Sequence, residues 1–304
     1  MSRPQRGLEP REPGRVIAAF GRHYRIELER GGEIDCVTRG RKSNVACGDR
    51  VQVAKSGAGT AVIEQVEPRR TLFYRSDARR QKLIAANVTQ IIIVVAPHPP
   101  YHIDLLDRCL AGAEHAEIAA LIALNKADLP DAPAASHALE LYRGLGYAVI
   151  SLSAKRDVAP LMPHLRKHVT LLVGQSGMGK STMINRLVPQ AAARVAEIST
   201  ALGTGRHTTT HAELYHVEPD SDIIDSPGLQ EFGLNHLSPA DAAHAFVEFR
   251  PLLGRCRFRD CRHVEEPGCA IDAAAAAGRV SQTRLASYRR LAEDLARKPA
   301  AWES

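Results

Sequence analysis

No apolar run in this sequence approaches the roughly 18 residues that a membrane span needs. The longest, residues 90–96 (QIIIVVA), has only the length of a strand. The opening stretch MSRPQRGLEPREPGR carries charge and proline without the apolar centre of a signal peptide, so a cytoplasmic protein is expected. Internal repeats are lacking, which excludes a solenoid. No heptad run stands out, and a monomer is expected. Aromatic residues make up 5% of the chain, and its single tryptophan, Trp302, is expected to be exposed near the C-terminal end. The six cysteines do not form a disulfide framework. Cys36, Cys47 and Cys109 are scattered and read as small buried hydrophobes. The other three cluster around one histidine, which in a cytosolic chain favours a metal over a disulfide.

What is present suits a soluble protein of more than one unit. The chain has 304 residues, 44% hydrophobic and 24% charged, enough for two or three domains with ordinary cores. Its formal net charge is +6, unevenly spread. Arg69, Arg70, Arg75, Arg79, Arg80 and Lys82 crowd one stretch opposed only by Asp77, and Arg250, Arg255, Arg257, Arg259 and Arg262 crowd another. Such clusters suit a polyanionic partner, although either alone is also what a solvated face looks like.

Residues 1–14 read as a disordered arm. Over 15–70, five short runs with β-branched or alternating apolar positions (15–20, 23–28, 34–38, 50–54 and 61–66) are separated by glycine-rich turns. That pattern predicts a small closed barrel of the OB type, with an SH3-like barrel as the competing reading. Residues 71–83 are basic and lack a period, and are expected to be a linker. The second unit is expected over 71–235, this linker included; from residue 90 its apolar strands alternate with helical spacing, which predicts an α/β domain with a mostly parallel sheet. After 233 the strand signals stop, and 236–304 is expected to be a helical unit around the cysteine cluster.

Four motifs carry the chemistry. Gly174-Gln175-Ser176-Gly177-Met178-Gly179-Lys180-Ser181 fits G-x-x-x-x-G-K-[ST] in full, follows a strand-like run and leads through Thr182 into a helix. Backbone N–H groups there can converge on phosphate oxygens, Lys180 can reach the β- and γ-phosphates, and the Ser181 hydroxyl can ligate Mg²⁺. In DIIDSPG, Asp225 ends an apolar strand and can hold Mg²⁺ through water, while Gly228 can present its N–H to the γ-phosphate. Asn125, Lys126, Ala127 and Asp128 end another strand. A carboxylate at 128 can accept two hydrogen bonds from the guanine N1–H and N2–H₂ edge, a pattern adenine lacks, so an ATPase is disfavoured. Asn125 can tie this loop to the phosphate loop, the Lys126 stem can cover the base, and Ser153, Ala154 and Lys155 can add backbone contacts to the guanine oxygen. Between these, GTGRHTTT offers Thr208, Thr209 and Thr210 as candidates to close on Mg²⁺ and the γ-phosphate, and also reads as a strand start. The position after Gly228 is Leu229, where many GTPases carry a water-orienting glutamine. Slow unassisted hydrolysis is therefore expected, with His207 and His211 as candidate helpers.

Cys256-x₄-Cys261-x-His263-x₅-Cys269 supplies three thiolates and an imidazole, the ligand set of a closed structural Zn²⁺ site. Beside it Phe258 lies between Arg257 and Arg259, a pattern that can meet phosphate and stack a base. In the barrel, His23, Tyr24 and Arg25 share a strand, and Arg39, Arg41 and Lys42 share a loop. Two basic modules flanking a nucleotide site make RNA the expected partner.

The guanine-reading motif precedes the phosphate loop here, the reverse of the usual order. The same sheet forms if the chain is cut and rejoined elsewhere, which is feasible when termini lie close together. The permuted order, GRHTTT, DSPG and the cysteine cluster with HVEEPGCA together resemble the RsgA/YjeQ family of circularly permuted GTPases, over nearly the whole chain. The resemblance implies an OB-fold barrel, a permuted P-loop GTPase domain and a C-terminal zinc domain. It also implies a late 30S assembly factor that binds 16S rRNA and whose GTP hydrolysis the small subunit stimulates, with Mg²⁺ and one structural Zn²⁺ and without DNA or membrane partners. A nucleotide-gated RNA-binding module, or a permuted GTPase acting on tRNA or the large subunit, are the alternatives.

Overall fold

The computed structural model describes residues 11–39, 44–55, 61–76, 81–189, 191, 212–226 and 231–297. Five strands come first: β1 (Glu12–Phe20), β2 (His23–Leu28), β3 (Glu33–Thr38), β4 (Arg50–Lys55) and β5 (Ala61–Val66). They pair in the order β1-β2-β3-β5-β4, and β4 closes back on β1. The β3–β5 pairing is parallel and the others antiparallel. This is the OB barrel the strand spacing predicts. Closure follows from the period-2 pattern: Val16, Tyr24, Ile26, Cys36, Val51, Val53 and Ile63 all point inward and fill one small core.

The basic stretch expected to be an irregular linker instead carries a hairpin. β6 (Leu72–Ser76) pairs antiparallel with β7 (Gln81–Ala86). Its strands were hidden because charged residues crowd this stretch of sequence and leave the buried Phe73 and Ile84 isolated among them. Two residues in strand register were too few to stand out against the charge.

The second layer system is a sheet of β8 (Gln90–Val95), β9 (Ala119–Leu124), β10 (Ala148–Ser151), β11 (Val169–Val173), β12 (Ala212–Glu218) and β13 (Ser221–Asp225). Its order is β10-β9-β8-β11-β13-β12, parallel except for β12. β8 and β13 are buried at every position because helices cover both faces; β8 reads as an apolar run after Gln90, whereas β13 carries Ile223 and Ile224 between the buried polar residues Ser221, Asp222 and Asp225. On one face Leu106 and Leu110 of the helix Ile103–His115 pack on Ile91 and Ile93. On the other, Met183 and Ile184 of the helix Lys180–Leu187 pack on Ile92 and Leu172.

Barrel and sheet are joined by backbone pairing. β1 pairs with β12 through Ala18↔Glu213 and Ala19↔Ala212, so one ladder of eleven strands runs through both. Side chains reinforce the seam. Arg15 donates to Asp222 at 2.5 Å, and His216 lies 2.6 Å from Asp222 and 3.0 Å from Glu27.

The C-terminal helices pack on the first helix of the sheet domain. Ser238 and Asp241 form a capping box that starts the helix Pro239–Ala245. On the last long helix, Gln282–Ala296, Arg284 is 1% exposed and reaches Asp107 at 2.7 Å and Glu248 at 2.7 Å, with its guanidinium over the Phe246 ring. This buried bridge locks the C-terminal unit to the helix Ile103–His115.

Candidate functional site

The glycine loop, Asn125–Asp128, Ser153–Lys155 and Asp225 sit at one edge of the sheet. β9 ends into Asn125–Asp128, β10 into Ser153–Lys155 and β11 into the glycine loop, and β13 ends at Asp225. Because these strands are parallel within the run β10-β9-β8-β11-β13, their C-terminal ends share one edge, which is where α/β sheets bind ligands.

The glycine loop wraps the start of the helix Lys180–Leu187. Gly179 adopts φ +97°, and a Cβ on it would lie 2.2 Å from Asn125 Nδ2. Glycine is thus required both by the backbone and by the neighbouring loop. Lys180 is buried, and its ammonium donates to Gly174 O at 2.7 Å and Gln175 O at 3.1 Å. Burial pulls its pKa down, opposed by the nearby Asp225 carboxylate. An ammonium held inside a ring of carbonyls, with a carboxylate in range, is poised to exchange those partners for phosphate oxygens.

Asn125 ties three loops together. It is 2% exposed; its Nδ2 donates to Met178 O at 2.8 Å, and its Oδ1 accepts from Ala154 N at 2.9 Å. The Ala154 N–H therefore serves this tether, leaving the exposed Lys155 to offer a backbone donor outward. Lys126 adopts φ +59° and donates from Nζ to His98 O and Gly177 O, each at 2.7 Å, so its stem spans the loop edge. Ala127 and Asp128 are exposed. The Ser153 hydroxyl donates to the Asp128 carboxylate and holds its pKa below the usual value. A base-reading acceptor so placed stays ionised throughout the physiological range.

Of the Mg²⁺ candidates, Ser181 is exposed in the first helical turn and Asp225 is buried at the end of the neighbouring strand. A hydroxyl and a carboxylate are hard oxygen donors that fit this ion. Ser176 is exposed, and Thr182 is half-buried. The expected switch residues Thr208, Thr209 and Thr210, together with His207, His211, Gly228 and Leu229, lie outside the described residues.

Two contacts here have no sequence signal. Gln175 Oε1 accepts from His102 N at 2.8 Å, pinning the phosphate loop to the start of the helix Ile103–His115. Further along the chain, Phe232 and Gly233 meet the hairpin: Phe232 stacks on Phe73 at 5.1 Å, and Ser76 N donates to Gly233 O at 2.9 Å.

The cysteine cluster converges on a point. The Sγ atoms of Cys256, Cys261 and Cys269 lie 3.4, 3.5 and 3.5 Å from His263 Nδ1, and Cys256 and Cys269 Sγ are 4.0 Å apart. Tetrahedral bonds of about 2.3 Å to sulfur and about 2.0 Å to nitrogen place ligand atoms about 3.5 Å (S···N) and about 3.8 Å (S···S) apart. The four donors therefore fit one tetrahedral metal. Glu266 was not foreseen. Its carboxylate accepts from the N–H groups of Arg262, Val264 and Glu265 at 3.0, 2.9 and 3.2 Å. Burial raises its pKa, but these N–H groups outweigh that and hold it at about 2. They thereby fold the turn that gives His263 its φ of +62°. Nothing in HVEEPGCA distinguished Glu266 from Glu265.

Comparison with known proteins agrees with this geometry. The profile described as RsgA GTPase matches residues 66–235. The small ribosomal subunit biogenesis GTPase RsgA of Nitrosomonas europaea is 51% identical over 286 residues, covering 93% of this chain and 91% of that protein. The protein of the same name from Nitrosospira multiformis is 50% identical, covering 93% and 90%. The crystal structure of YjeQ from Thermotoga maritima matches with a TM-score of 0.71 and 28% identity over 95% of this chain and 100% of that one. YloQ, described as a circularly permuted GTPase, matches at 0.67 and 25% identity, covering 98% and 100%.

Proposed function

This chain belongs to the RsgA GTPase family, and we propose that it hydrolyses GTP in the biogenesis of the small ribosomal subunit, binding that subunit through its ribosomal RNA. The hydrolase activity goes with the family. The small-subunit role is supported by the names of relatives that are half identical over nearly the full length.

The observation that carries the nucleotide reading is the three-loop tether at Asn125, which holds the phosphate loop and both base-facing loops in one frame. In that frame Asp128 accepts from the guanine edge, Lys126 covers the base and Lys155 offers a backbone donor. The N–H groups from Gly174 to Lys180 bind the phosphates. Ser181, together with Asp225 through water, would hold Mg²⁺, which supplies charge neutralisation on the β- and γ-phosphates. Lys180 leaves its carbonyl partners to stabilise charge on the transferred group. The cysteine–histidine cluster holds Zn²⁺ as a structural ion, since four protein donors fill a tetrahedral shell. With leucine at 229, no side chain at that position can orient water, so turnover depends on a group or an ordering that the subunit contributes.

The test is GTP hydrolysis measured alone, with purified 30S subunits and with 50S subunits. Strong stimulation by 30S alone is expected. Equal rates in all three would remove the small subunit as partner while leaving the GTPase assignment standing.

A further inference from the structure

Among the described residues the only exposed large hydrophobics are Ile103 and Phe258. Phe258 is 43% exposed, at the tip of the loop between Cys256 and Cys261. That loop is rigidly held. Cys256 and Cys261 converge on His263 Nδ1, Arg257 N donates to Gly268 O at 3.1 Å, and Cys261 N donates to Phe258 O at 3.4 Å. Gly268, at φ +78°, allows the close approach, since a Cβ there would meet Arg257 Cβ at 2.9 Å. Tyr288 OH donates to Arg262 O at 2.6 Å and fixes the outer flank. A pinned loop cannot fold its ring inward, so the exposure of Phe258 is built in.

The surroundings are cationic. Arg255, Arg257, Arg259 and Arg262 are all exposed, and none has an acidic side-chain partner among the described residues. The Arg257 guanidinium sits over the Phe258 ring, 5.4 Å from its centroid, and the side chain remains 43% exposed. Asp260 is the single acid in the loop.

We propose that this metal-pinned loop is a recognition surface for single-stranded RNA, with Phe258 stacking one unpaired base and the flanking arginines binding the adjacent phosphates. It rests on the RNA-binding part of the function proposed above and adds the surface and the structural class of RNA. An aromatic face takes any base whose own faces are free, and duplex bases are already stacked on both sides. Unpaired arginines around a ring supply the phosphate contacts without fixing sequence. The surface therefore selects loops, bulges and ends over helices.

The experiment uses the full zinc-loaded chain and fluorescence anisotropy with two probes, an unstructured 15-nucleotide RNA and a duplex RNA of equal length. Stacking of one base is worth about 1–3 kcal/mol, so Phe258→Leu should weaken the single-stranded complex at least roughly fivefold, and Phe258→Trp should preserve it. Neither should change duplex binding by more than about twofold. The salt slope should be unchanged in Phe258→Leu and shallower by about 1.4 in Arg257→Gln/Arg259→Gln, at about 0.7 per phosphate contact. Zinc content equal to wild type certifies that each variant is folded. Unchanged single-strand affinity in Phe258→Leu overturns the proposal. So does a loss confined to intact 30S subunits, which would assign the ring to a ribosomal protein. Loss on naked RNA without any 30S stimulation of GTPase in the wild type would keep this surface and overturn the ribosomal reading instead.

Discussion

Replacing Asn125 with alanine tests whether the nucleotide site is preassembled by one side chain. The substitution deletes the bond to Met178 O (2.8 Å) and the bond from Ala154 N (2.9 Å), in a position that is 2% exposed. Each buried group left unpaired costs about 1–3 kcal/mol. The two loops are anchored separately, one after β11 and the other after β10, so in the free protein they can part and let water reach both groups. Nucleotide binding must then bring them back together. Even the low end, about 1 kcal/mol for each group, gives about 2 kcal/mol and a roughly 30-fold rise in Kd. The assay is titration with fluorescent GDP, beside a thermal melt to establish that the chain folds. Gly179→Ala supplies an internal check, since its Cβ would lie 2.2 Å from Asn125 Nδ2. With Asn125 gone that clash disappears, so the double variant should lose less than the sum of the two singles. A Kd within threefold of wild type, or strict additivity of the pair, would refute the claim that Asn125 assembles the site.

Asp128→Asn should lower GTP affinity roughly 10- to 150-fold, because an amide oxygen can accept only one of the two guanine donors and the charge-assisted bond lost is worth about 1.5–3 kcal/mol. Xanthosine triphosphate, which presents an oxygen at position 2, should bind the variant better than GTP does, and competition binding reads the ratio. Glu266→Ala removes the acceptor for three N–H groups in the metal turn. Metal analysis after mild chelation should show faster metal loss than in wild type, with GDP affinity unchanged. His216 has both ring nitrogens against carboxylates, Asp222 at 2.6 Å and Glu27 at 3.0 Å, which can only accept. Burial lowers its pKa from 6.5, but the two carboxylates outweigh this and raise it. Its stabilising effect on the barrel–sheet seam is therefore complete below about pH 6.5 and is lost as pH rises through the raised value. The side chain is 48% exposed, so the effect is small and screened. Melting temperatures compared between wild type and His216→Gln across pH 6–9 should converge at the alkaline end, and a constant gap would contradict the assignment.

Local pattern made much of this molecule legible. Barrel strands such as β2 and β4 alternate apolar and polar positions, and the central parallel strands β8 and β9 are almost wholly apolar, so much of both sheets could be read by periodicity. The phosphate loop and the ligand set around His263 were legible because their chemistry needs fixed residue types at fixed short spacing. The hairpin was not, since its arginines masked Phe73 and Ile84. Glu266 was not, since backbone N–H groups chose between two adjacent glutamates through a turn that the sequence does not display.

What the sequence determined by itself was therefore the candidate chemistry and most of the elements: which residues have the groups to hold phosphate, guanine and metal, and which segments, the hairpin apart, read as strands. What only the tertiary structure decided was how the elements meet. β1 pairs with β12 across nearly two hundred residues, Arg284 finds Asp107 and Glu248 in the interior, and Asn125 binds two loops that follow other strands. Such contacts depend on where distant elements are placed once the cores have packed. A side chain capable of a hydrogen bond or an ion pair shows its capacity in the sequence, but its partner is selected by the fold.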